Sequence, residues 1–527
     1  MHMNKFLAFL GLTGTLAGCN GTMTPRDTWH SEYGSLSTGT PTTMMYGTPA
    51  TDDASHKMSV LLPLSGENAA TGRALRTAIE AAVIQRAPNS LSVTFHDTAV
   101  GASTAINTAL SENPDVIVGP LFAADARTLR AMKPNDMPAI SFTSDASALG
   151  NGVMTMALMP SNGVEAIVRE MATDGSTGML ILAPESNTGR LMAAAARAAA
   201  TNNDIPVSGV VFYHERDTES IKNAANAAAL YPARSAANKR AREILADVLN
   251  TEQLTAIEKS SLSRQLDNIS RTETLGHLPY NAVLFLGSAD DAKSLASFLR
   301  YYGVSARDAR FYGTAMWDGA FTSSDITMSG AKYPALSETN PAFVNLYEQT
   351  TGTTPNRIAS FGYDAANMAM GTIYSRKSNA AYLMDPSGYV GIDGLVRLTP
   401  SGASQRALRI MQISGNGAIA MRAAPDNFIT QIYSIDPAKL APARPMTVET
   451  PGINPLSYIQ IPDRVRGKYK SKTYGANATQ STTTHQENII AIIPEDDEET
   501  VVSNPEFQPK PLETVSRTYI DSVEINE

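Results

Sequence analysis

The stretch Lys57–Ala87, KMSVLLPLSGENAATGRALRTAIEAAVIQRA, changes its hydrophobic period once, and that change narrows the fold class more than any other feature. Ser59–Leu64 is a short apolar run closed by Pro63 and Ser65–Gly66. Such a run suits a strand buried on both faces, as in a parallel sheet. From Gly72 onward Leu75, Ala78, Ile79, Ala82 and Val83 recur at i, i+3, i+4, i+7 and i+8, one apolar stripe on a helix. Arg73, Arg76 and Glu80 are expected on its outer face. A strand that ends in a small-residue loop and re-enters as a helix opens a βαβ unit. In open α/β sheets ligands sit beyond the carboxyl ends of the strands, so Ser65–Thr71, with Ser65 and Gly66 foremost, is a candidate ligand wall.

The same rhythm recurs. Leu91–His96, Asp115–Leu121 and Pro138–Thr143 read as strands, with helices near Ala102–Ser111 and Ala123–Met132. A second set starts near Ser161 with strands at Gly178–Ala183, Val207–Tyr213, Ala282–Leu286 and Phe311–Ala315. This alternation implies parallel sheets with helices on both faces. Residues 215–274 carry no strand signal and read as a helical insertion. Gly394–Leu398 and Leu408–Ile413 are expected to form an antiparallel pair at a sheet edge. Beyond Ile435, Pro, Thr, Ser, Asn and Gln accumulate, and Glu495–Glu499 is an acidic run. Residues 436–527 are therefore expected to be mostly disordered, with short apolar pieces at Ile489–Ile493 and Tyr519–Val523.

The chain's 527 residues allow a large core, and its net charge of −9 argues against a nucleic-acid partner. Lys5 and the apolar Phe6–Leu16 form a segment too short to span a bilayer. Leu16-Ala17-Gly18-Cys19 follows and resembles a bacterial lipobox, which implies cleavage before Cys19 and acylation of its thiol. Cys19 is the only cysteine, and lipidation would remove a free thiol from an exported protein. Residues 1–18 are thus expected to be a lipoprotein signal peptide, and residues 19–56 a flexible tether to the membrane. Asn20 after the cysteine, in place of Asp, implies by the same resemblance the periplasmic face of the outer membrane. No other segment is long and apolar enough to cross a membrane.

Two sequential α/β lobes opening with VLLPLSG and GRALRTAIEAA, then DVIVGPL and PAISFTS, resemble the type I periplasmic-binding-protein fold of branched-chain amino-acid receptors. LYPARSAANKRAREIL, LPYNAVLF, FLRYYGVSARDARFYGTAMWDG, IASFGYDAANMA and GIDGLVRLTPSGASQRAL are similar to segments of penicillin-binding-protein activator lipoproteins. The resemblance covers about residues 57–435. It implies two lobes joined by three crossings: lobe one about 57–159 plus 337–381, lobe two about 160–336 plus 391–433. It also implies a non-enzymatic role, binding a class A peptidoglycan synthase and supporting wall synthesis from the outer membrane.

Receptors of this fold hold the ligand carboxylate with a serine after the third strand, hydroxyls after the fourth and an aromatic from lobe two. Here Phe122 follows the third strand, while Thr143, Ser144 and Asp145 follow the fourth. Thr188, beside Asn187, stands where the tyrosine is expected. With two of three anchors altered, a zwitterion would be left with unpaired charges. An ordinary amino-acid ligand is disfavoured, and a different small ligand or a degenerate cleft stays open. Thr143, Ser144 and Asn187 either line a cleft or only cap loops and helices. Trp317 either lines the cleft or packs internally. Arg234, Lys239, Arg240 and Arg242 give a basic helix face that is either a solvated surface or a docking surface. His96, His214 and His277 stand alone, no G-x-S-x-G elbow is present, and neither a metal nor a cofactor is expected.

Overall fold

The computed structural model describes residues 43–46, 56–86, 91–322, 324–375, 379–415, 417–428 and 434–475. Cys19, the leader and the acidic run lie outside these residues. Lobe one is built on β1 (Thr43–Tyr46), β2 (His56–Leu62), β3 (Leu91–Asp97), β4 (Val116–Val118), β5 (Ala139–Ser141) and β6 (Val153–Thr155), ordered β1-β3-β2-β4-β5-β6. All neighbours are parallel except β1, which pairs antiparallel with β3. A piece of the expected tether is thus a strand.

Helix α1 (Ala69–Arg86) buries the stripe its period announced. Arg76 and Glu80, expected outside, are buried as well. They pair at 2.7 Å one turn apart, and the Arg76 guanidinium lies 4.7 Å from the Phe95 ring centre. Burial nonetheless pushes the Glu80 carboxyl above its ordinary value, against the pull of Arg76. Helices α2 (Ala102–Ser111) and α3 (Ala123–Met132) complete the first βα repeats.

The chain crosses to lobe two through Met156–Met159 and enters α4 (Pro160–Thr173). There β7 (Met179–Pro184), α5 (Asn187–Asn202) and β8 (Val207–Tyr213) lead into three helices, α6 (Thr218–Ala228), α7 (Tyr231–Thr251) and α8 (Ala256–Ser270). Then come β9 (Ala282–Phe285), α9 (Ala289–Tyr301), β10 (Arg310–Tyr312) and β11 (Lys332–Ala335). The parallel strands run β8-β7-β9-β10-β11, the same order as β3-β2-β4-β5-β6. Each lobe therefore reverses its strand order beside its founding strand, the place where this architecture opens a crevice.

The chain then returns to lobe one, where α10 (Pro341–Thr351) and α11 (Arg357–Tyr374) pack on α1. The expected pairing of Gly394–Leu398 with Leu408–Ile413 does not occur. Strands β12 (Tyr389–Gly391), β13 (Gly394–Leu398) and β14 (Ser404–Arg406) form a small antiparallel sheet of their own. After the third crossing at Ala407–Leu408, β15 (Arg409–Ser414) pairs with β11 and with β16 (Gly417–Arg422). Core membership explains the split: Val396 and Leu398 are buried with lobe one, whereas Ile410, Met411 and Ile413 are buried with lobe two.

The expectation of disorder from residue 436 is corrected over residues 436–475. Ala443 and Arg190 exchange backbone and side-chain hydrogen bonds at 3.0 and 2.9 Å. Met446 makes an antiparallel bridge to Val210 on the free edge of β8, and Val448 is buried in the lobe-two core. A Cβ on Gly209 would stand 2.7 Å from Val448 Cγ2, so only glycine lets this strap lie so close. Farther on, Leu456, Ile459, Ile461 and Val465 pack with Ile244, Leu245, Val248 and Leu262 of α7 and α8. The strap buries the outer face of the helical insertion and covers a sheet edge that would otherwise offer unpaired backbone groups.

Candidate functional site

The loops expected to wall the cleft lie at the carboxyl ends of their strands, but their polar groups are turned to local work. Ser65 and Gly66 are exposed, and the turn is held by Leu64 N–H donating to Asp97 Oδ1 at 2.8 Å. Burial pushes Asp97 up, but hydrogen bonds from Ser65, Ala99 and Leu64 outweigh it and hold the carboxyl below its usual value. Thr143 is buried, and its Oγ1 accepts from Asp145 N at 3.1 Å. Asp145 caps the short turn Ala146–Ala148 through Ser147 N and pairs with Arg127 of α3. Its carboxyl, raised by burial, is brought below the ordinary value by Ser147 and Arg127. Ser144 is exposed. On lobe two, Asn187 and Thr188 are exposed at the start of α5, where Ser186 is the cap, accepting from Gly189 N at 3.0 Å.

Trp317, held open as a cleft residue, is a core residue. It has no exposed surface, and its ring lies 5.1 Å from Phe321, 6.1 Å from Phe285 and 6.2 Å from Tyr333. Its indole N–H donates to Gly287 O at 3.3 Å. The indole lies so close to Gly313 that a Cβ there would stand 2.3 Å from the ring.

Arg234 is likewise removed from the basic face. It is buried, and its guanidinium donates to the carbonyls of Gly276, Ala229 and Gly303, tying α7 to the ends of α6 and α9. Arg240 pairs with Glu243 at 3.2 Å. Lys239 and Arg242, one turn apart on α7, line an open cavity of about 430 Å³ with Tyr231, Ser235, Ser270, Thr272 and Glu273.

The polar groups that join the lobes were not singled out in the sequence. Arg406, fully buried, donates to Met156 O at 2.6 Å through Nη2, while its backbone N–H donates to Asn162 Oδ1 at 2.7 Å. Its guanidinium lies 4.4 Å from the Phe361 ring centre, so the first and third crossings are fastened to α11. At the second crossing, Arg357 donates to Ser337 O at 2.8 Å and pairs with Asp393 at 3.2 Å. It also reaches Asp318 of lobe two at 3.3 Å. Asp393 is buried and accepts further from Thr339 at 2.8 Å and from Ser360. Beside it, burial pushes Asp364 up to about 7, against the attraction of Arg406 and a hydrogen bond from Ile392 N. A cavity of about 270 Å³ opens against this hinge, lined mainly by Ser161, Asn162 and Glu165 of α4, the β13–β14 turn and Ser434–Pro437 of the strap. None of the sequence-derived cleft residues lines either cavity.

The family model for periplasmic binding proteins matches residues 55–417, most of the two-lobed body. The chain belongs to the periplasmic binding protein family. Solved structures similar to this periplasmic binding protein include a putative branched-chain amino acid ABC transporter protein from Rhodospirillum rubrum, at 16% identity and TM-score 0.49, covering 69% of this chain and 99% of that one. The C-domain of LpoA from Haemophilus influenzae, described as a regulator of PBP1A, aligns at 14% identity and TM-score 0.46, with coverage of 69% and 99%. A leucine-binding protein, LivK, from Thermotoga maritima aligns at 14% identity and TM-score 0.42, covering 70% and 98%. No curated protein matches the chain. Among the described residues, no helix is long and apolar enough to cross a membrane, and no cluster of His, Cys, Asp and Glu could hold a metal ion.

Proposed function

We propose that this periplasmic binding protein is a non-enzymatic lipoprotein, acylated at Cys19 and held at the periplasmic face of the outer membrane. There it binds a class A peptidoglycan synthase and raises its activity. The observation that carries this reading is the state of the cleft loops. Phe122 and Thr188 replace the serine and aromatic anchors of amino-acid receptors; of the groups that remain, Thr143 accepts from Asp145 N, Asp145 is engaged by Ser147 and by Arg127 of α3, and Ser144 is exposed. A zwitterionic ligand there would meet few free donors. The protein's outer surface is then the part left to make contacts.

A soluble form lacking Met1–Cys19 is expected to bind a bifunctional penicillin-binding protein of the same cell and accelerate its glycan synthesis. Absence of both effects across the cell's class A synthases overturns the reading. For the anchor, mass spectrometry of the exported chain should show acyl groups on Cys19, absent from Cys19→Ser.

A second reading, a receptor for an amino acid or peptide-like solute, draws support from the 270 Å³ hinge cavity and its polar lining. A ligand present at a hundred times its Kd would stabilise the protein by about 2.7 kcal/mol, readily seen as a rise in Tm. A silent screen of amino acids and wall fragments argues against it.

A further inference from the structure

Burying a carboxylate is costly unless a cation or several donors meet it. Among the described residues the buried carboxylates are Glu80, Glu165, Glu170, Asp291, Asp364 and Asp393. Glu80 pairs with Arg76, Glu170 with Lys332 and Arg422, and Asp393 with Arg357. Asp364 is attracted by Arg406. Glu165 and Asp291 form no ion pair with a described residue, and of these two only Glu165 lines a cavity described above.

That cavity is the one of about 270 Å³ at the hinge. Glu165 Oε1 accepts from Ser434 N at 2.6 Å and from Ser434 Oγ at 3.0 Å, while Oε2 accepts only from Ile435 N at 3.5 Å. All three donors are neutral, and Oε2 has room for more. The other charged members of the wall, Asp436 and Lys439, pair with each other at 3.6 Å. Arg406, next to the wall, is attracted instead by Asp364 and Asp393.

Asn162 precedes Glu165 by three residues on α4, so the two side chains are neighbours on one helix face. Asn162 is 4% exposed. Its Oδ1 accepts from Arg406 N at 2.7 Å, and its Nδ2 meets no acceptor. Of the buried polar side-chain atoms left without a partner, Asn162 Nδ2 is the one whose residue lines a cavity described above. The opposite wall is the β13–β14 turn, which belongs with lobe one. There Ala403 packs with Leu149 and Val153, and Gly402 O accepts from Thr155 N at 2.9 Å.

We propose that the hinge cavity binds a small molecule carrying a primary ammonium group beside a carbonyl or hydroxyl oxygen. The ammonium meets Glu165 Oε2 and the oxygen meets Asn162 Nδ2, two convergent contacts that fix its orientation. Amino-acid derivatives and amino sugars both carry this pair of groups. Once bound, the molecule touches α4 of lobe two and the turn of lobe one together. The inference deepens the receptor reading, since it rests on the same cavity, and it holds whether or not the protein binds a synthase.

The test is calorimetric titration of the full chain in detergent with L-alaninamide and with glucosamine, each beside its N-acetyl form, which keeps the oxygens and loses the charge. At least one amine is expected to bind, and its N-acetyl form to bind far more weakly. Glu165→Gln keeps an oxygen for Ser434 but removes the charge, and should weaken binding of that amine about tenfold or more, the loss expected for a hydrogen bond to a charged group. Ser401→Phe, at a half-buried position on the opposite wall, should fill the cavity and abolish binding; it serves as the test if Glu165→Gln lowers the melting temperature. Ser144→Ala with Thr188→Ala should leave binding unchanged. No binding of either amine overturns the proposal, whereas the wider receptor reading falls only if the amino-acid and wall-fragment screen is silent too. Equal binding of amine and N-acetyl form, or binding indifferent to Glu165→Gln, overturns the ammonium site while leaving the cavity open to another solute. Binding that survives Ser401→Phe but is lost with Ser144 and Thr188 moves the ligand to the strand-end loops and overturns it as well.

Discussion

At the carboxyl ends of the strands, Thr143, Asp145 and Ser186 accept backbone hydrogen bonds within their own loops, and Asp145 also pairs with Arg127 of the adjacent α3. At the hinge, Arg357, Asp393 and Arg406 reach between segments far apart in sequence, and Arg357 reaches from one lobe to the other. Both regions are rich in polar side chains. The first is a set of local caps whose loss removes one small interaction each. The second is a network around the buried Asp393 and Arg406, reached from the half-exposed Arg357, so removing a partner leaves a buried charged group less satisfied. Ligand capture in this fold needs the first region free to bind and the second free to bend. In this chain the polar groups of the first serve mainly as local caps, and the second is fastened by charged groups.

Trp317 gives the strongest test of which side of that division a residue belongs to. Trp317→Ala is expected to cost about 4 kcal/mol, because it empties a fully buried aromatic site and leaves Gly287 O without its donor. Chemical denaturation measures it. A nearly unchanged midpoint would return Trp317 to the cleft.

Arg357→Ala is expected to cost about 2 kcal/mol, since Asp393 keeps its bonds from Thr339 and Ser360 but loses its charge partner. The same change cuts the contact with Asp318, so small-angle scattering should show a wider spread of lobe separations. A loss of stability with unchanged scattering would make the network structural only, with no part in lobe closure.

Asp364 sharpens the contrast by pH. Burial raises its carboxyl from the ordinary 3.8 to about 7 against the attraction of Arg406 and Arg86 and with repulsion from Asp393. Between those two values the folded state holds a proton that the unfolded state has lost. The contribution is therefore full below about pH 4 and declines as pH rises toward 7. Asp364→Asn should flatten the stability profile across that window, measured by denaturant midpoints at steps from pH 4 to 8. An equal slope in parent and variant would place the titration elsewhere.

Much of the fold was legible because burial writes itself as period. Leu75, Ala78, Ile79, Ala82 and Val83 announced the buried face of α1, and the founding strand beside it announced a parallel sheet. Where period fails, so did the reading. Strand β11 carries Pro334 yet pairs on both sides, with one partner antiparallel. A proline in a central strand removes a ladder donor and hides the strand from inspection. The strap was missed because its anchors, Met446, Val448, Leu456, Ile459 and Val465, are apolar residues scattered among prolines without a helix or strand period, and they fill three separate sites on lobe two. Composition there matches that of a disordered tail. The buried charges were invisible for another reason: Arg76 and Glu80 on α1, and Asp364 and Arg406 at the hinge, look like solvent-facing residues in sequence, and only the partners they find in the fold offset the cost of their burial.

The cleft loops supply the smallest expected effect and the cleanest comparison with the hinge. Ser144 and Thr188 are both exposed, and neither is the capping residue of its turn, the caps being Asp145 and Ser186. Ser144→Ala with Thr188→Ala should change stability by less than about 0.5 kcal/mol, as for surface positions free of special contacts. Under the proposed regulatory role, binding to a synthase should also be unchanged. A fall in Tm shift with any small ligand in the double variant would show instead that these hydroxyls complete a solute site. The polar region that looked most functional by position would then bind a solute with Phe122 and Thr188 in place.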